Sequence, residues 1–286
     1  MKKILVTGAN GQLGQCLQKI SSQFEEFEFI FTDSETLDIT NKEEVNDFFW
    51  QNAPDFCINA AAYTAVDLAE TDIEKAFLVN ADGAENLAEA CAENNAQFIH
   101  VSTDYVFDGE NNLAYTEEDF TNPLGVYGAS KLAGDELALE VNPCSVILRT
   151  SWVYSEFGKN FVKTMLSLFA TKEELSIVAD QFGQPTNAND LAEAIMKIIK
   201  SEKITPGIFN FSNLGRISWF DFAEKIAELS EAKIKLNAIE TSQYPTPAKR
   251  PKNSVLDLDK ISKTYAIQLK PWEESLEDCV QILQNN

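Results

Sequence analysis

The sequence predicts an α/β protein, a doubly wound parallel sheet with a smaller C-terminal α/β lobe, on three observations. Over roughly the first 150 residues, short apolar runs alternate with longer amphipathic stretches, the pattern of βαβ repetition around a parallel sheet. A glycine-rich turn, Gly8-Ala9-Asn10-Gly11-Gln12-Leu13-Gly14, lies directly between the first apolar run and the first helical stretch. From Asn160 onward the elements become shorter and differently spaced. A chain of 286 residues with 44% hydrophobic content can bury a core for one large domain and a modest lobe. The expected division is 1–155 for the first domain and 156–286 mainly for the lobe, with later segments returning to the first.

Taken in order, the strand candidates of the first domain are Lys3 to Thr7, Phe27 to Asp33, Phe56 to Ala62, Gln97 to Asp104 and Ser145 to Thr150. All are rich in Ile, Val and Phe and are separated by helical patterns. Between the third and fourth, Asp72 to Asn94 reads as one helix, because Ala76-Phe77, Val79-Asn80, Ala84, Leu87-Ala88 and Cys91 recur near a 3.6-residue period. Val126 to Glu140 reads as another helix. In the lobe, helices are expected at Asn160 to Ala170, from about Asn189-Asp190, and after the N-cap Ser218. Strands are expected at Leu175 to Val178, Ile208 to Phe211 and Ile234 to Ile239. Tyr244-Pro245-Thr246-Pro247-Ala248-Lys249-Arg250-Pro251 carries three prolines, which remove backbone donors, so it reads as a loop.

Composition narrows the function. The net charge of -22 opposes nucleic-acid binding, and an anionic small molecule would need local Arg side chains or backbone N–H donors. His100 is the only histidine, which removes His-based triads and multi-His metal sites; a structural role is expected for it. The five cysteines, Cys16, Cys57, Cys91, Cys144 and Cys279, are scattered with no C-x-x-C, so buried thiols in a reducing compartment are expected. The short apolar run Ile4-Leu5-Val6 is no signal-peptide core and no later stretch is long enough to cross a membrane, which points to the cytoplasm.

The glycine turn gains meaning from its strand and helix. Glycines at 8, 11 and 14 let the backbone approach a pyrophosphate, and the following helix N-terminus offers N–H groups and partial positive charge. This is the Rossmann-type signature of dinucleotide binding. Asp33, 19 residues after Gly14, can accept hydrogen bonds from an adenosine ribose diol; the bland alternative is a solvated turn residue.

Tyr127-Gly128-Ala129-Ser130-Lys131 places a phenol and an ammonium on one face of a helix. Reducing a carbonyl requires a proton on oxygen, and a nearby Lys131 ammonium is expected to lower the Tyr127 phenol from its ordinary value of about 10. Alone, such a pair is a common surface accident. Its weight comes from Val101-Ser102-Thr103-Asp104 at the carboxyl end of the fourth strand candidate, the end where open α/β sheets bind ligands. A Thr103 hydroxyl there can hydrogen-bond a substrate oxygen or the phenol.

Together these residues resemble the extended short-chain dehydrogenase/reductases and, within them, the dTDP-4-dehydrorhamnose reductase family. The resemblance runs through Gly8 to Gly14, Asn59 to Asp67, Ser102 to Gly109, Tyr127 to Lys131, Arg149-Thr150-Ser151-Trp152-Val153-Tyr154 and Tyr244 to Leu256. It implies reduction of dTDP-6-deoxy-L-lyxo-4-hexulose to dTDP-L-rhamnose with NADPH or NADH. It further implies Tyr127 as proton donor, Lys131 on the phenol and the nicotinamide ribose, and Thr103 assisting. Gly8, Gly11, Gln12, Leu13, Gly14, Asp33, Asp38, Ile39, Ala61, Ala62, Tyr63 and Thr64 would hold the cofactor. Thr103, Asp104 and Trp152 would contact the sugar nucleotide, the lobe would cover its dTDP part, and Arg250 would clamp the diphosphate. Some relatives dimerise through magnesium held by acids after the glycine loop; here Gln15-Cys16 stands at that place, so no bridging metal is expected, and a monomer or a differently built homodimer is. Competing readings are a nucleotide-sugar epimerase or dehydratase, and a non-catalytic regulatory subunit of the same fold. Asp104-Tyr105 where a dehydratase would carry Asp-Glu, and the presence of Thr103, Tyr127 and Lys131, argue against them.

Overall fold

The computed structural model describes residues 1–285. The chain begins β1 (Lys2–Thr7), α1 (Gln12–Ser21), β2 (Phe27–Phe31), α2 (Lys42–Asn52) and β3 (Phe56–Asn59). Short helices α3 (Val66–Ala69) and α4 (Ile73–Phe77) lead through a π-helical turn, Leu78–Asp82, into α5 (Gly83–Glu93). Next come β4 (Gln97–Thr103), α6 (Val126–Val141) and β5 (Val146–Thr150). The remainder is β6 (Val153–Tyr154), α7 (Phe161–Phe169), β7 (Glu174–Val178), β8 (Phe182–Gly183), β9 (Thr186–Asn187), α8 (Ala188–Ile199) and β10 (Gly207–Asn210). It closes with β11 (Ile217–Ser218), α9 (Trp219–Leu229), β12 (Lys235–Ile239), α10 (Asp259–Tyr265) and α11 (Trp272–Asn285).

Six strands form one parallel sheet in the order β2-β1-β3-β4-β5-β10. Its central strands are buried on both faces, which is why they read as unbroken apolar runs rather than alternating ones. One face packs α1 and α8 through Leu13, Leu17, Leu191 and Ile195; the other packs α2, α5 and α6 through Val45, Phe49, Leu87 and Ala138. The strand order reverses between β1 and β3, so a crevice opens beyond their carboxyl ends.

The lobe is built from two-stranded ladders, β7 with β12, β6 with β9 and β8 with β11, plus α7, α9 and α11. Its core gathers Tyr154, Phe222, Ile226, Trp272 and Leu276. Ser218 caps α9 with a reciprocal Asp221 capping box. Between these elements α8 and β10 return to the first sheet, and α10 packs on β10.

Three strands end earlier than expected, β2 at Phe31, β3 at Asn59 and β4 at Thr103, because the chain turns there to form the rim of the crevice. The expected helix over 72–94 is real in extent but is broken by the π turn, where buried Asn80 turns its amide to other elements. Cys16, Cys57, Cys91 and Cys279 are buried, whereas Cys144 is exposed in the turn that enters β5, correcting the expectation for that thiol. The 244–251 segment is a loop, as three prolines require.

Candidate active site

The crevice holds two connected hollows that share Gly11, Ala60 and Ala62. The first, about 410 Å³, lies between the glycine turn and the segment after β2. Gly8 has φ +68°, and a Cβ on it would stand 2.6 Å from the Ala61 nitrogen across the switch point; a Cβ on Gly14 would stand 2.4 Å from the Gly8 oxygen. Only glycine lets these backbones close up. Gly11 stands at the N-cap of α1 and supplies no side-chain cap, which leaves the first N–H groups of the helix available to an anion. Asp33, Asp38 and Ile39 line this hollow. The Asp33 carboxyl accepts from Asn10, Thr36 and the Glu35 nitrogen, and these bonds, that from the Thr36 hydroxyl foremost, hold it below the usual carboxylate range. A dinucleotide's pyrophosphate and adenosine fit this cradle.

The second hollow, about 620 Å³, lies between the carboxyl ends of β4 and β5 and the lobe. Thr103, Asp104, Tyr127, Lys131 and Trp152 meet on its walls, with Gln12, Leu13 and Thr64. Helix α6 can bring Tyr127 so close because Gly128 has no Cβ, which would sit 2.2 Å from the Tyr105 carbonyl oxygen. The helix is also tied down at the π turn: Asn80 accepts from the Tyr63 nitrogen, donates to the Tyr63 carbonyl and donates to Ser130 Oγ.

Burial pushes the Tyr127 phenol up to about 12; the Thr103 hydroxyl opposes this, while Asp104 and Asp135 add to it. This corrects the expectation that Lys131 lowers the phenol. The Lys131 amine is turned to the Val101 carbonyl, 2.7 Å away, and to His100 Nε2 at 3.1 Å. Burial also depresses Lys131 to about 8, against the pull of Asp135. Desolvation therefore sets the direction at the phenol, and Lys131, turned to Val101 and His100, is not among the groups that oppose it. Asp104 is pushed up to about 7 by burial, which the Ser254 and Thr103 hydroxyls oppose, and its Oδ1 accepts from Thr103. This carboxyl lines the cleft, where it can accept from a sugar hydroxyl.

Trp152 adopts a left-handed φ of 47° and stacks on Trp219, centroids 3.6 Å apart and planes 10° from parallel. Both indoles line the hollow, so the lobe gives it a flat apolar wall. Trp219 escaped the sequence reading, although an aromatic directly after an N-cap serine was a usable signal.

Three expected site residues stand apart from these walls. Gly14 serves the closeness of the turn rather than the surface. Tyr63 lines neither hollow and donates its hydroxyl to Asp72. Arg250 forms a bidentate pair with Asp67, at 2.8 and 3.1 Å, next to the lining residue Val66. Among the described residues no cluster of His, Cys, Asp and Glu could hold a metal ion, and no helix is long and apolar enough to cross a membrane.

The sequence profile of the RmlD substrate binding domain family matches residues 1–285. The chain is 45% identical over 288 residues to a dTDP-4-dehydrorhamnose reductase of Aggregatibacter actinomycetemcomitans, covering 97% of this chain and 98% of that one. It is similar to the crystal structure of a dTDP-4-dehydrorhamnose reductase from Clostridium acetobutylicum, with a TM-score of 0.94, 43% identity and 99% of both chains covered. A Bacillus anthracis dTDP-4-dehydrorhamnose reductase in complex with NADP gives a TM-score of 0.95 at 39% identity, covering 99% of this chain and 100% of that one.

Proposed function

The chain belongs to the RmlD substrate binding domain family, and from that premise we propose that it reduces the C4 ketone of dTDP-4-dehydro-6-deoxy-L-mannose to give dTDP-L-rhamnose. The reductant is NADPH or NADH; a similar structure carries NADP. The observation that carries the reading is the convergence of Thr103, Tyr127 and Lys131 on one cleft that opens into the glycine cradle.

The bound reduced nicotinamide supplies hydride to C4. Gly8, Gly11, the first turn of α1, Ala61 and Ala62 would hold its pyrophosphate, with Asp33, Asp38 and Ile39 on the adenosine side. Asp33 favours a free ribose diol, because an anionic carboxylate repels a 2′-phosphate. Tyr127, protonated at neutral pH, donates its proton to the C4 oxygen as negative charge grows there; a phenol near 12 is still a stronger acid than the alcohol being formed. Thr103 orients that oxygen, and Lys131 presents a donor to the nicotinamide ribose. Asp104 takes a sugar hydroxyl and Trp152 packs against the pyranose.

The lobe, mainly residues 156–286 with Trp152 at its entrance, is assigned the dTDP moiety, with residues 1–155 and the returning α8 and β10 binding the cofactor. Arg250 reaches the diphosphate by exchanging the Asp67 carboxylate for it, since both are planar or paired oxygen acceptors for its fork. Gln15 and Cys16 offer no carboxylate to a bridging metal, so the protein acts as a monomer or metal-independent homodimer, in the cytoplasm; sedimentation with and without a chelator checks the assembly.

The test mixes the protein with dTDP-4-keto-6-deoxy-glucose, a 3,5-epimerase and NADPH or NADH, and follows the absorbance of the reduced nicotinamide. Consumption that needs the epimerase and falls about 10²–10⁴-fold in Tyr127→Phe supports the reading. Consumption without the epimerase moves the substrate to the unepimerised sugar. No consumption with either cofactor rejects the reductase.

A further inference from the structure

Thr7, Asn59 and His100 occupy one row across the sheet: β1 pairs Thr7 with Asn59, and β3 and β4 pair Asn59 with His100. Residues in register on parallel strands share a face, so three buried polar side chains run sideways through the sheet toward α6. The reduction described above gives none of them a task.

Donor and acceptor counting fixes the direction of each bond. Asn59 Oδ1 accepts from the Thr7 hydroxyl at 2.7 Å and from the Ala61 N–H at 3.1 Å. A backbone N–H only donates, so turning the amide round would set Asn59 NH₂ against it. Asn59 Nδ2 therefore donates to His100 Nδ1 at 3.0 Å. A neutral imidazole then carries its proton on Nε2. That proton faces Lys131, whose Nζ lies 3.1 Å from His100 Nε2, and Asp135 Oδ1 lies 3.8 Å from His100 Nε2. An ammonium and an imidazole N–H at this distance oppose each other, whereas a neutral amine accepts the proton with its lone pair.

We propose that His100 is a positioning residue for Lys131, whose Nε2 proton biases the lysine toward the neutral amine and leaves it one N–H for the Val101 carbonyl and one for the cleft. The inference rests on reading Lys131 as part of the active site. The groups that act on the lysine are Asp135 on its own helix and His100 on β4, and Tyr127 and Asp104 line the same hollow. Asp135 favours the ammonium, but Arg149 of β5 and Ser102 of β4 draw on its Oδ2, at 3.3 and 2.9 Å, and weaken that pull. His100 is held well below its ordinary range chiefly by burial, so its ring is neutral as the bond counting requires, and burial lowers Lys131 as well.

Because His100 is the only histidine, isotope-labelled histidine places a single imidazole in the nitrogen NMR spectrum of the whole chain. The expected result is a neutral ring protonated on Nε2 from about pH 6 to about pH 9. A ring protonated on Nδ1, or one that titrates near its ordinary value, overturns the proposal. In His100→Asn the side-chain titration of Lys131, read from labelled lysine and assigned by its loss in Lys131→Arg, should move up by about one pH unit, a tenfold change in the proton equilibrium. An unchanged titration overturns the proposal as well. Both readouts need no turnover, so they stand even where the keto-sugar is not reduced; where it is, the alkaline limb of kcat/KM should move with the lysine. Should His100→Asn not fold, the wild-type nitrogen spectrum decides alone.

Discussion

Gly183→Ala tests how the cleft wall is held. A Cβ on Gly183 would stand 2.5 Å from Trp152 Cε2, 2.7 Å from Cζ2 and 2.8 Å from Nε1. To regain ordinary contact the indole must move by about 0.9 Å, and such overpacking costs about 1–3 kcal/mol. The indole has little freedom to comply. Trp219 already lies at stacking distance on it, so approach is barred and retreat loses a contact worth about 0.5–1.5 kcal/mol. The Trp152 backbone, in the left-handed region, is also kept there by its surroundings. We expect a loss of roughly 1–3 kcal/mol in urea unfolding and about a tenfold rise in KM for the sugar nucleotide, with KM for NADPH unchanged. The altered stack should also show in the near-ultraviolet circular dichroism of the paired indoles. A variant with wild-type stability, wild-type spectrum and wild-type KM would refute the claim that Gly183 sets the position of Trp152.

Three further outcomes are expected. Asp104 is raised in the fold from its ordinary 3.8 to about 7, so the folded state holds a proton that the unfolded chain releases, and stability from this group falls as pH rises between those values. Asp104→Asn removes that loss, and its stability relative to wild type should improve by roughly 2–3 kcal/mol between about pH 5 and about pH 8 in parallel urea titrations; a constant difference would refute it. Arg250→Lys keeps the charge but loses the planar fork, so KM for the sugar nucleotide should rise about tenfold with cofactor KM unchanged, and equal effects on both would place Arg250 elsewhere. Cys144 is exposed while Cys16, Cys57, Cys91 and Cys279 are buried, so a thiol reagent should label one cysteine quickly in the native protein and the rest only on unfolding.

The alternation of apolar runs, the glycine turn and the Tyr127/Lys131 spacing are local properties of the chain, and each by itself determined a feature of the fold: the parallel sheet, the cradle at its switch point and a shared helix face. Strand interiors could be read because a sheet buried on both faces needs continuous apolar runs; strand ends at Asp33, Ala62 and Asp104 were overdrawn because the crevice rim keeps the same residue types while leaving the ladder. The resemblance carried Thr103, Asp104 and Trp152 to the cleft but could not reveal that Arg250 is engaged by Asp67 or that Tyr63 faces Asp72. Only the tertiary structure brought Gly183 and Trp219 onto Trp152, Asn80 onto Ser130, and Asn59 with His100 behind Lys131, pairs distant in the chain and joined by sheet register and packing. It also decided the sign of the shift at Tyr127. Spacing places a lysine near a phenol, but the fold turns its amine to Val101 and His100 and buries the phenol, and burial sets the direction there.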